Sequence, residues 1–192
     1  MAIPLWLKIV YLAFVCGLVP IYWKQYGPAN FLWFSDIALL LLVPALWLES
    51  KLLFSTLAVS VGLLELLWNA DFLFRLLTGN EVVGLSAYMF DSRIKLWIRA
   101  LSVFHVVLPP LILWYVYKLG YDGRGFAVQT VIAWAVLLVC YFFTPPSENV
   151  NWVYGFGKPQ TLLPRGLYLA LLMLGFPVVI YFPSHLILAR LF

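Results

Sequence analysis

One histidine lies deep in an apolar stretch. His105 falls in FHVVLPPLILWYVY, and two consecutive prolines, Pro109 and Pro110, follow it. An imidazole titrates near neutral pH and serves as a general base. To activate a nucleophile it needs a hydroxyl within reach and a third group that orients its ring. Ser35 is the hydroxyl at a suitable depth, and Asp36 beside it is an orienting or polarising candidate. Glu65 and Asn69, four residues apart, share a helix face and are further pocket-polar candidates. Pro109 has no N–H, so the carbonyl of His105 loses its helical partner, and Pro110 does the same to Val106. Inside a membrane such carbonyls persist only where neighbours or a water-filled cavity satisfy them. The bend and the histidine are therefore expected to mark one spot.

These groups need a scaffold, and the composition says what kind. Hydrophobic residues make up 65% of the 192 and charged residues 10%. A soluble domain is about half apolar and about a quarter charged. About 20 apolar residues cross a hydrocarbon core, and six segments qualify, at residues 3–23, 30–48, 52–77, 96–117, 125–144 and 164–182. The expected fold is all-α: a single integral-membrane domain over residues 1–192, a polytopic bundle of six transmembrane helices with both termini on the same side. The expected location is a cell membrane of the bacterial inner type. The net charge of +4 contains no basic run, which argues against a nucleic-acid partner. Cys16 and Cys140 lie in apolar runs without a CxxC pair, so thiolate chemistry is unsupported. His105 and His185 fall at opposite depths and do not supply the three ligands of a catalytic zinc site. No metal or cofactor is expected.

Depth sorts the remaining polar residues. Ser35, Asp36, Glu65, Asn69, Asp71 and His105 all fall toward one end of their spans. Glu148, Asn149 and Asn151 occupy the loop at that end, and Asn149 and Asn151 are expected to shape the pocket. Ser35 and Asp36 are expected about two turns into the second helix. A polar side chain inside a span is costly unless paired, so this asymmetry points to a polar pocket open at one end. Asp71 and Arg75 have the spacing of an interfacial ion pair. Arg93, Lys95 and Arg99 suit lipid phosphates, with Arg99 the head-group-binding candidate. His185, near the opposite end, reads as interfacial.

Three stretches carry a family resemblance. FHVVLPP resembles the histidine-bearing helix of the androgen-induced and TFPI-regulating membrane hydrolases. Those are six-helix proteins that cleave fatty-acid esters of hydroxy fatty acids with a threonine and a histidine. NFLWFSDIALLLLVP is similar to their second helix, and equally to that of related six-helix Cys-His membrane acyltransferases. ENVNWVYGFGKP resembles the Asn-Tyr-Gly region after the fifth helix of that second set. The similarity runs in order over residues 28–160. It implies that His105 is the family histidine. The threonine position falls near Trp33, which has no nucleophile, and the cysteine position falls on Ser35. Asn149 and Asn151 match the loop asparagines loosely, as pocket shapers or oxyanion donors.

Two functions are expected from these residues. The first is a membrane-embedded lipid acyl-ester hydrolase or acyltransferase, with Ser35 attacking, His105 taking its proton and Asp36 or Asn69 orienting the site. Its partners are membrane lipids and a lipid-like substrate. The second is a non-enzymatic membrane protein that holds a lipid, pigment or apolar ligand between its helices. Ion conduction through Glu65, Asp71 and His105 is disfavoured, because the chain has no inverted repeat and few polar groups in the other half of its spans.

Overall fold

The computed structural model describes residues 2–192. Among them all regular structure is helical. Helix α1 spans Leu5–Tyr26, and a 3-10 turn over Pro28–Leu32 leads into α2, Phe34–Leu48. A tight turn at Glu49 and Ser50 joins α2 to α3, Lys51–Thr78. Glu49 adopts the left-handed region at φ 50°, and the Ser50 hydroxyl caps α3 by accepting from Leu53 N at 3.3 Å. The fourth rod is broken into α4, Leu96–Leu101, and α5, Phe104–Leu119. The fifth is α6, Arg124–Phe143. The last runs as α7, Arg165–Gly175, a π-helical turn over Phe176–Tyr181, and α8, Phe182–Leu191.

Five of these rods are long and apolar enough to cross a membrane. Helix α2 has 15 residues and is shorter than a full span on its own. This differs from the expected second segment, because Pro28 and Trp33 leave its first residues outside the α-helix. The final rod continues to Leu191, nine residues beyond the expected end at 182. The π-helical turn shifts the hydrogen-bond register just before Pro183, which then sits in the first turn of α8, where its missing N–H costs little.

Helix α3 is the axis of the bundle. It packs on α2, α5, α6 and α8. Every residue from Phe54 to Val61 is buried, which requires neighbours on all sides. The small side chains of Ser55, Thr56, Ala58 and Ser60 let those neighbours approach. The closest approach is at Gly125 of α6, where an added Cβ would lie 2.8 Å from both Ser55 C and Thr56 N.

Polar contacts tie one end of the bundle. Glu49 Oε1 accepts from Lys8 Nζ at 2.7 Å and from Ile3 N at 3.0 Å. The Lys8 ammonium beside Glu49 holds its carboxyl below the usual carboxylate range. Asp122 N donates to Ser55 Oγ at 2.8 Å, Tyr121 Oη meets His185 Nδ1 at 2.8 Å, and the rings of Tyr117 and Phe192 pack together. His185 thus has a defined partner. The other end of the bundle opens into a cavity.

Candidate functional site

The cavity has a volume of about 1150 Å³. It is bounded by α1, α2, α3 and α5, by the π-helical turn, and by the loops at 82–88 and 151–157. Ser35, Asp36, Glu65, Asp71, His105 and Asn151 line it, whereas Asn69, Glu148 and Asn149, expected with them, do not.

His105 stands in the first turn of α5. The chain reaches it through a break at Ser102 and Val103, where the backbone bonds tighten to i→i−3. Ser102 N donates to Arg99 O, Val103 N to Ala100 O and His105 N to Ser102 O, at 3.0–3.1 Å. The Ser102 hydroxyl is held against Tyr22 Oη at 2.6 Å. Pro109 leaves the His105 carbonyl without a helical donor, and Asn69 supplies one. Its Nδ2 donates to His105 O at 2.9 Å and to Glu65 O at 2.8 Å. The carbonyl freed by proline is thus what docks α5 on α3. The break itself lies at 102–103, three residues before the histidine, rather than at the prolines.

Glu65 sits one turn before Asn69 and grips the ring. Its two carboxylate oxygens lie 3.0 and 2.8 Å from His105 Nδ1. Both residues are buried, Glu65 at 2% and His105 at 7% exposed. Trp68 and Phe104 stack on the imidazole, with centroids 4.3 and 4.2 Å away. Two rings and one carboxylate therefore fix its plane. With Glu65 ionised and the imidazole neutral, Nδ1 carries the proton and Nε2 presents a lone pair. Nε2 makes no hydrogen bond among the described residues, which leaves it to the cavity.

Ser35 and Asp36 lie in the first turn of α2, not two turns into a helix. Asn151 holds that turn. Its Nδ2 donates to Leu32 O at 2.7 Å, and its Oδ1 accepts from Phe34 N at 3.2 Å, satisfying an N-terminal helix donor. Asp36 Oδ1 accepts from Asn30 Nδ2 at 3.2 Å. Ser35 lines the cavity, but no hydrogen bond joins it to His105; Glu65 is the partner of the ring.

Two loops close the cavity. Asp71 does not pair with Arg75. Its carboxylate accepts from Val83 N, Gly84 N, Ser86 N and Ser86 Oγ at 2.7–3.2 Å, pinning the loop whose residues 82–85 line the cavity. Arg75 pairs instead with Glu81 and lies over the Phe90 ring. Arg99 is not on the cavity wall. It donates to Met89 O at 2.7 Å and so anchors the same loop. In the second loop Asn149, Asn151 and Trp152 all have positive φ, between 43° and 59°. Asparagine tolerates this region and tryptophan does not, so Trp152 stores strain at the cavity wall. Asn149 braces the loop by donating to Gly155 O at 2.7 Å and accepting from Tyr154 N at 3.0 Å. Gly155 permits no side chain there, since a Cβ would fall 2.2 Å from Lys158 O.

The sequence reading missed Tyr22, Asn30, Trp68 and Ser102. Spacing carried a signal for two of them: Trp68 follows Glu65 by three residues and Ser102 precedes His105 by three, each one helical turn. No family model, no curated protein and no solved structure matches the chain.

Proposed function

We propose that the protein is a membrane enzyme acting on a lipid acyl ester, with His105 as the general base. One observation carries this reading: a buried imidazole held by Glu65 at Nδ1, with Nε2 free in a large cavity of mostly apolar lining. That is the orientation an acyl-transfer base requires. Ser35 Oγ is the proposed nucleophile. A side-chain rotation or a bound substrate has to bring it to Nε2, because the two are not hydrogen-bonded here. Nε2 takes the hydroxyl proton as Oγ bonds to the carbonyl carbon. The ester C–O bond then breaks, and the imidazolium gives the proton to the departing alkoxide. Water completes hydrolysis, and an alcohol completes transfer.

The test is covalent labelling. A fluorophosphonate probe should add once to the purified protein, with the adduct mapped to Ser35 by mass spectrometry. Ser35→Ala and His105→Gln should each abolish it. Labelling unchanged in both variants removes the serine mechanism. The lack of a hydrogen bond between Ser35 and His105 favours a second reading, in which the cavity holds a lipid without cleaving it. Recovery of an intact acyl ester from the cavity after prolonged incubation would support that reading.

A further inference from the structure

Three carboxylates line the cavity, Asp36, Glu65 and Asp71, and among the described residues no lysine or arginine does. Two of the three are matched. Asp71 takes four donors from the 83–86 loop, and Glu65 holds His105. Asp36 is not. It is 5% exposed, accepts one hydrogen bond, from Asn30, and pairs with no cationic side chain among the described residues. A buried carboxylate without a counter-charge is costly. Inside a span it is a functional-site candidate, since a cationic ligand would supply the missing charge.

The walls around it fit one class of ligand. Tyr22, Tyr26, Trp33, Phe34 and Phe176 line the same cavity. Ring faces carry negative potential and attract a cation, most strongly where water is excluded. Tyr26 Oη on this wall is a buried polar atom without a partner. The remaining lining, such as Val61, Leu64 and Leu67, suits an alkyl chain.

Resting on the acyl-ester reading, we infer that the substrate is an amphiphilic cation. Its ammonium group sits against Asp36 among the aromatic rings, and its chain fills the apolar part of the cavity. An anionic lipid finds no counter-charge there and meets a carboxylate instead, so the same residues reject it.

The experiment compares three single-chain probes of equal length. Dodecyltrimethylammonium, dodecanol and dodecanoate are titrated into the protein in nanodiscs of zwitterionic lipid, and binding is read from tryptophan fluorescence. The ammonium probe should bind about tenfold tighter than either of the others. Asp36→Asn should erase that margin while leaving dodecanol binding unchanged. Equal binding of the alcohol or the carboxylate to the wild type overturns the inference, as does a margin that survives in Asp36→Asn. If D36N fails to fold, the wild-type ranking alone decides. Incubating the wild type with the dodecanoyl ester of choline separates the two proposals, and His105→Gln, which should keep the margin and lose cleavage, is the control. In the wild type, a cation margin without ester cleavage removes the catalytic reading and leaves the binding one. Cleavage without a margin does the reverse.

Discussion

His105 owes its position to a defect in its own helix. Pro109 strips its carbonyl of a helical donor, and Asn69 takes up that carbonyl from α3. Because Asn69 and Glu65 are one turn apart, the helix face that docks the backbone also carries the carboxylate that orients the ring. Asn69→Ala should therefore leave a buried carbonyl unpaired, at a cost of about 1–3 kcal/mol. Thermal unfolding in detergent should show a lower midpoint, and an unchanged midpoint would mean that water replaces the amide. The histidine, the freed carbonyl and the shared face of Glu65 and Asn69 were legible in the sequence. The Glu65–His105 pairing was not. Forty residues separate the two, and nothing local shows which of several polar groups on three helices will meet.

The helices that span also present the residues, α3 carrying Glu65 and Asn69 and α5 carrying His105. Hydropathy locates every span but the last within a few residues, since burying backbone in lipid leaves little choice beyond long apolar helices. It fails where a tertiary contact overrides the local pattern. The break at Ser102 and Val103 has no proline or glycine within it and depends in part on Tyr22 holding Ser102. The last helix passes Pro183 because the π-helical turn before it accommodates the ring. The crossing of α3 and α6 is tight, and it needs a missing side chain at position 125. Gly125→Ala places a carbon against two backbone atoms that no rotamer can move. The helices must separate, with a cost of about 1–3 kcal/mol. A loss of folded protein on gel filtration, or a lower unfolding midpoint, is the expected result. A neutral outcome would show that the two helices do not meet at this point.

The molecule carries many large apolar side chains on its outer surface, with Phe143 81% exposed, and buries a group of polar side chains, with Asp36 5% exposed, an arrangement compatible with a lipid surround. One end of the bundle is closed by contacts among Ile3, Lys8, Glu49, Tyr121 and His185, and the other holds the cavity and its two loops. Reporter fusions after Phe192 and within residues 79–95 should accordingly report opposite compartments. The same compartment for both would rule out three crossings by the rods after α3. The central claim is that Glu65 makes His105 a base. Ester turnover by the intact protein in nanodiscs, compared between wild type and Glu65→Gln, tests it most directly. Glutamine keeps the shape but removes the charge that fixes the tautomer and steadies the imidazolium. The predicted result is a fall in kcat of about 10²–10⁴-fold with little change in KM. A Glu65→Gln protein that turns over at the wild-type rate would contradict the account.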